Sequence, residues 1–183
     1  MASLKNYTYI KDLLSTDEIN LLWRYGENVH RSFDDLNSNK DHDDKQTSLG
    51  ETCKYGDPLM DGILTLKKEK IEKELGKELL PTYTFWRMYN QYSVLEKHTD
   101  REACEYTVSI TIKQDMEWPL FIGKNKIYIE SGDGVLYQGT KIEHWRDEYQ
   151  GDYAMQLFLH YVLKDGKYSK EALDRRQSLG VRK

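Results

Sequence analysis

Cysteine is scarce: Cys53 and Cys104 are the only two in 183 residues. A disulfide framework is thereby excluded, and a reducing, cytoplasmic setting is expected. No apolar run approaches the roughly 20 residues of a membrane span, and no charged-then-apolar leader opens the chain, so no membrane partner is expected. Basic residues are not in excess. Lys and Arg total 27 against 31 Asp and Glu, a formal net charge of −4 with no basic cluster, so nucleic acid is disfavoured as a partner, and with it a nucleic-acid demethylase. There are no internal repeats. A phosphate loop is missing too, because Gly123 and the Gly132/Gly134 pair lack the strand-to-helix setting it needs. Hydrophobic residues reach only 38%, but 14 Tyr and 4 Trp supply large side chains that fill a core. A chain this long buries about 70% of its unfolded surface, enough for one self-standing domain over 1–183.

The elements fall in three blocks. Residues 1–81 read as helical support with a loop, 82–163 as a β core, and 164–183 as a charged tail that ends in a short, fraying helix. Ser15 and Glu18 form a capping box, and Ile19, Leu22, Trp23 and Gly26 follow at helical spacing, which predicts about three turns. Residues 34–57 are polar and turn-rich, and a loop of this length suits a lid or substrate-recognition segment. A second helix follows Asp57-Pro58 and runs to Gly76, with Pro81 as a stop and Lys67-Lys68-Glu69-Lys70 as a solvated face. From Thr82 the pattern becomes strand-like. Tyr106–Ile112 alternates with period two, short strands follow, and Ala154–Val162 reads as a buried sheet strand. Helices ahead of many short strands predict a mainly β (α+β) barrel or jelly roll buttressed by N-terminal helices.

Five histidines carry the chemical question: His30, His42, His98, His144 and His160. His98 and Asp100 stand two apart at a strand end, and His144 lies on a later strand. Two imidazoles and one carboxylate on one face leave three positions open, the arrangement that holds non-haem Fe(II) for O2 chemistry. A lone His-x-Asp is a weak signal, and His42-Asp43 is another instance, set in an acidic aperiodic loop and read as solvated. His160 sits in a buried-strand context and reads as a core or pocket histidine. Cys104 has no partner at nucleophile spacing and is given no role. Trp118 and Trp145 read as packing or rim residues.

The order Tyr89, Tyr92, Glu96-Lys97-His98-Thr99-Asp100, Thr107–Lys113, Gly132-Asp133-Gly134-Val135-Leu136-Tyr137 and Glu143-His144-Trp145-Arg146 resembles the prolyl 4-hydroxylase-like group of the 2-oxoglutarate/Fe(II)-dependent dioxygenases. The resemblance spans 82–162 and implies a cupin-like double-stranded β-helix, with His98, Asp100 and His144 as metal ligands. It also implies Fe(II), 2-oxoglutarate and O2, with ascorbate as an accessory. The activity implied is hydroxylation of a peptidyl or free amino acid, proline-like, with release of succinate and CO2. An intact Asp100 argues against a halogenase. The alternative reading is a non-catalytic cupin-like binding protein.

One part of the family pattern is missing. Related enzymes place an Arg or Lys about ten residues after the second histidine, where it pairs with the far carboxylate of 2-oxoglutarate. Here that stretch is Gly151-Asp152-Tyr153-Ala154-Met155-Gln156, with no cation. Arg146 shares the face of His144 on a continuing strand and is the first replacement; Lys113 and Arg87 are others. Tyr89 matches the family's co-substrate tyrosine. Gln156 is expected to add a neutral hydrogen bond, and the Thr107, Ser109 and Thr111 face to line the pocket, with Thr111 among the co-substrate residues.

Overall fold

The computed structural model describes residues 6–33 and 50–181. In chain order they form β1 (Tyr7–Ile10), α1 (Thr16–Phe33), β2 (Thr52–Tyr55), α2 (Pro58–Leu75), β3 (Leu79–Asn90), β4 (Leu95–His98) and β5 (Tyr106–Gln114). There follow β6 (Leu120–Ile122), β7 (Asn125–Ile127), β8 (Gly134–Tyr137), β9 (His144–Arg146) and β10 (Tyr153–Leu163). Turns of 3-10 helix lie at Glu102–Cys104 and Ser169–Arg175.

Local chemistry sets the helix boundaries. The Ser15 backbone N–H donates to Glu18 Oε2 at 2.7 Å, and the Glu18 N–H donates to Ser15 Oγ at 3.2 Å, closing the expected capping box. Helix α1 then runs 18 residues, longer than three turns, and passes through Gly26. A Cβ there would lie 2.6 Å from Met155 Sδ, so this glycine lets the helix approach β10 and does not end it. Asp57 caps α2 by accepting from the Leu59 and Met60 N–H groups, and Gly76 ends it in the left-handed region at φ 71°.

Helix α2 ends ahead of Pro81, as expected. Pro81 itself lies inside β3, opposite Tyr161 at a register shift and beyond the part of β3 that β2 covers, so its missing N–H breaks no ladder. Two expectations are corrected here. The lysine run is not merely solvated: Lys67 pairs with Glu18, Lys68 with Glu72, and Lys70 donates to the Lys11 and Asp12 carbonyls. The tail does not fray. Asp174 and Arg176 are buried, and Arg176 donates to Asp61 at 2.7 Å and to the Thr82 carbonyl at 2.9 Å. Of the 34–57 loop, 52–55 is strand β2; the lid expectation and His42 otherwise fall on 34–49, outside the described residues.

Ten strands make two sheets, a six-stranded one in the order β1-β8-β5-β10-β3-β2 and a four-stranded one in the order β4-β9-β6-β7, and every ladder is antiparallel. The large sheet is covered on both faces. Helices α1 and α2 pack on one through Leu22, Met60, Leu64, Ile71, Val108, Ile110, Met155 and Leu157. Leu95, Leu120, Ile122 and Ile127 of the small sheet close on Val135 and Tyr137 of the large one. Burial on both faces explains the near-continuous apolar run of β10. It also places Thr107, Ser109 and Thr111, all at most 1% exposed, inside the roll. This is a jelly roll of the double-stranded β-helix type, buttressed by helices as expected.

Candidate metal centre and co-substrate cavity

Strands β4 and β9 of the small sheet pair His98 directly with His144. Asp100 follows the end of β4, and its backbone N–H donates to the Gly139 carbonyl at 2.9 Å. Each histidine is oriented from behind. His98 Nδ1 lies 2.6 Å from the Glu96 carbonyl and His144 Nδ1 lies 3.0 Å from the Ile142 carbonyl. A carbonyl only accepts, so both Nδ1 atoms carry the proton and both Nε2 atoms present lone pairs.

Those Nε2 atoms face Asp100 Oδ1 at 3.6 Å from His98 and 3.5 Å from His144, and the imidazole centroids are 4.4 Å apart. Three lone-pair atoms thus converge with no donor among them, an arrangement that a cation relieves. Two imidazoles and one carboxylate, with the second ring nitrogens pinned, fit a divalent metal of the facial-triad type.

The triad opens into a cavity of about 330 Å³. Tyr55, Tyr83, Phe85, Tyr89, Tyr137 and Phe158 are among its lining residues. The expected co-substrate residues divide between wall and backing. Tyr89 is on the wall, edge-on to Trp118 with centroids 4.8 Å apart. Arg146, Thr111 and Gln156 stand behind the wall as one group. Arg146 Nη2 and Thr111 Oγ1 each donate to Gln156 Oε1 at 3.1 Å, and Arg146 Nη1 donates to the Trp118 carbonyl.

Arg146 has no exposed surface, and its Nε has no hydrogen-bond partner. Among the described residues no carboxylate pairs with it. Burial pushes its pKa down to about 10, partly offset by the Tyr89, Tyr137 and Tyr149 hydroxyls, and it remains a cation at neutral pH. The other two candidate cations fare differently. Arg87 lines the cavity but is tied to buried Glu51 at 2.5 Å, and Lys113 lies over the Trp23 ring at 4.7 Å.

Tyr92 is 64% exposed and does not line the cavity. Trp145 stacks on Phe121 with centroids 5.0 Å apart, and Trp118 packs between Tyr89 and Tyr149, in line with packing roles. Of the Thr107, Ser109 and Thr111 face expected to line the pocket, Thr107 lines the cavity and the other two do not. Sequence reasoning missed Tyr137, Arg101 and Gly139, and for Gly139 it had no signal.

No family model matches the sequence, and no curated protein does either. Solved structures do match in fold. A viral collagen prolyl hydroxylase from Paramecium bursaria Chlorella virus 1, in complex with 2-oxoglutarate, superposes with a TM-score of 0.64 at 12% identity, covering 86% of this chain and 96% of that one. A Pseudomonas putida prolyl-4-hydroxylase gives 0.62 at 13%, covering 86% and 92%. The non-haem α-ketoglutarate-dependent epimerase SnoN of nogalamycin biosynthesis gives 0.69 at 9%, covering 97% and 88%. The chain therefore has the fold shared by 2-oxoglutarate/Fe(II) oxygenases, as its motif order implied. None of its described helices is long and apolar enough to cross a membrane.

Proposed function

We propose that the protein is an Fe(II)- and 2-oxoglutarate-dependent oxygenase that hydroxylates a C–H bond of a peptidyl or free amino acid. The carrying observation is the convergence of His98 Nε2, Asp100 Oδ1 and His144 Nε2, with no donor between them, on the wall of the cavity. These three side chains would hold the metal. Iron with 2-oxoglutarate and O2, when bound, supplies oxidative decarboxylation to succinate and CO2 coupled to oxygen insertion.

The chain's own contribution is orientation and exclusion of water. The Glu96 and Ile142 carbonyls hold both imidazoles in the ligating tautomer. Arg146 anchors the far carboxylate of the co-substrate in place of the family's absent cation: it is a buried charge with no acid and one bare N–H. Gln156 and Thr111 fix its guanidinium, and Tyr89 lines the cavity beside it. The likeness to two prolyl hydroxylases supports an amino-acid substrate.

The test is anaerobic. Fe(II) is added to metal-free protein, 2-oxoglutarate is titrated, and the visible charge-transfer band of the chelate is followed. A saturable band that is lost in His98→Ala is expected; bound iron without a band refutes the co-substrate reading.

A further inference from the structure

Asp100 offers two oxygens, and they face opposite ways. Oδ1 is the atom near both imidazoles, whereas Oδ2 accepts a 2.8 Å hydrogen bond from the Thr107 hydroxyl. That hydroxyl has a single proton, and an ionised carboxylate cannot supply another. The 3.1 Å contact between Thr107 Oγ1 and His160 Nδ1 must then be donated by the imidazole. His160 is accordingly the Nδ1–H tautomer. Burial pushes its pKa down to about 4, so the ring is neutral at pH 7.

The relay is built into the sheet. Thr107 on β5 and His160 on β10 are direct register partners, so two adjacent strands of the large sheet hold it. The far side of Asp100 is shaped to match. A Cβ on Gly139 would fall 2.2 Å from Asp100 Oδ2, 2.6 Å from the Cys104 carbonyl and 2.8 Å from Thr107 Oγ1, so only glycine leaves room for the carboxylate and its donor. His160 is set from its other side by the Tyr83 ring at 4.5 Å.

Resting on the iron reading above, we infer that Thr107 and His160 are positioning residues, a brace that commits Oδ2 to the large sheet and so turns Oδ1 toward the metal. The triad ligands come from the small sheet and the segment after it; the brace ties their carboxylate to the opposite layer. Without it the carboxylate rotates about its terminal torsion, and the geometry prepared by the two imidazoles is lost. A competing use of the same atoms is a second metal held by Asp100, Cys104 and His160, which also lie within 4.8 Å of one another. Burial pushes the Cys104 thiol up, and its sulfur is 3.0 Å from the Tyr83 hydroxyl, which disfavours the thiolate such a site would need.

The experiment is a titration of the metal-free full chain with Co(II) under argon, followed by its visible ligand-field bands. Wild type takes up one equivalent. Thr107→Val, close in shape but without the hydroxyl, is expected to weaken binding about 10- to 100-fold and change the bands, and Thr107→Ser to stay within about threefold of wild type. Wild-type affinity and spectrum in Thr107→Val overturn the brace and leave the triad standing. A second equivalent overturns it in favour of the two-metal site. Failure of the wild type to take up Co(II) overturns the metal reading and the brace with it. An independent readout needs no variant: ring ¹⁵N shifts of His160 in the metal-free protein should report Nδ1–H, and the Nε2–H form overturns the brace.

Discussion

Arg176 and Arg146 are both buried guanidiniums, and their surroundings could hardly differ more. Arg176 meets Asp61 at 2.7 Å, and that carboxylate also accepts from the Thr84 N–H and hydroxyl and from the Gly180 N–H. Every charge there has an opposite beside it. Arg146, across the sheet, meets a carbonyl, an amide oxygen and a tryptophan ring 4.9 Å away, and its Nε meets nothing. A completed pair holds a fold together, whereas a buried charge left incomplete is a standing cost that only a ligand of opposite sign removes. His160 gives a third answer to burial: it surrenders its proton. The contrast separates a charge that serves the fold from one that, under the proposed function, awaits a ligand.

The sharpest way to break this contrast is Asp61→Ala, which makes Arg176 resemble Arg146 without a ligand to rescue it. Loss of one partner of a buried pair costs about 3–5 kcal/mol, or a fall in Tm of about 10 °C for a chain of this size. A change of less than about 2 °C in thermal unfolding would mean that pairing is not what holds the tail. Acid titration tests the third answer. The His160 pKa is about 4 in the folded chain, below its ordinary value near 6.5. Between those values the unfolded chain binds a proton that the folded chain refuses, so stability falls as pH drops from about 6.5 to about 4, by roughly 3 kcal/mol in all. His160→Gln should remove that part of the slope, read from Tm measured across the window.

How far the sequence foretold these features depends on the range of the physics involved. The capping box at Ser15 and the bounds Asp57 and Gly76 of α2 are local rules, and they hold residue by residue. His98, Asp100 and His144 were readable because strand ends and their order put them on one face. Pairings between distant segments were not. Arg87 with Glu51 and Arg176 with Asp61 join charges whose neighbours in the chain give no hint of each other, so the tail was misread as fraying. The length of α1 beyond Gly26 was not foreseen, because the reason for that glycine, Met155, lies on another element. Arg146 was singled out by strand period alone, yet its burial without an acid among the described residues needed the fold.

Arg146→Met sharpens the contrast because it should carry the opposite sign to Asp61→Ala. With the unpaired charge gone and an apolar chain of similar length in its place, the ligand-free protein should be at least as stable, by up to about 1 kcal/mol. The 2-oxoglutarate concentration that half-saturates the charge-transfer band should rise about tenfold or more, since a charge-assisted bond is worth about 1.5–3 kcal/mol. Destabilisation with unchanged co-substrate binding would move Arg146 to the class of Arg176.

The smallest effect sets the baseline. Arg24 pairs with Glu27 at 3.0 Å on the outer face of α1, with the Arg24 side chain 76% exposed. Water already screens the Arg24 charge, and holding its long side chain in one place costs rotamer entropy, so Arg24→Ala should alter stability by less than about 0.5 kcal/mol. Its effect should also shrink in high salt, where that of Asp61→Ala should not. If both variants lost the same stability with the same salt dependence, burial would not be what distinguishes the arginines, and the case for Arg146 as a ligand-awaiting charge would lose its footing.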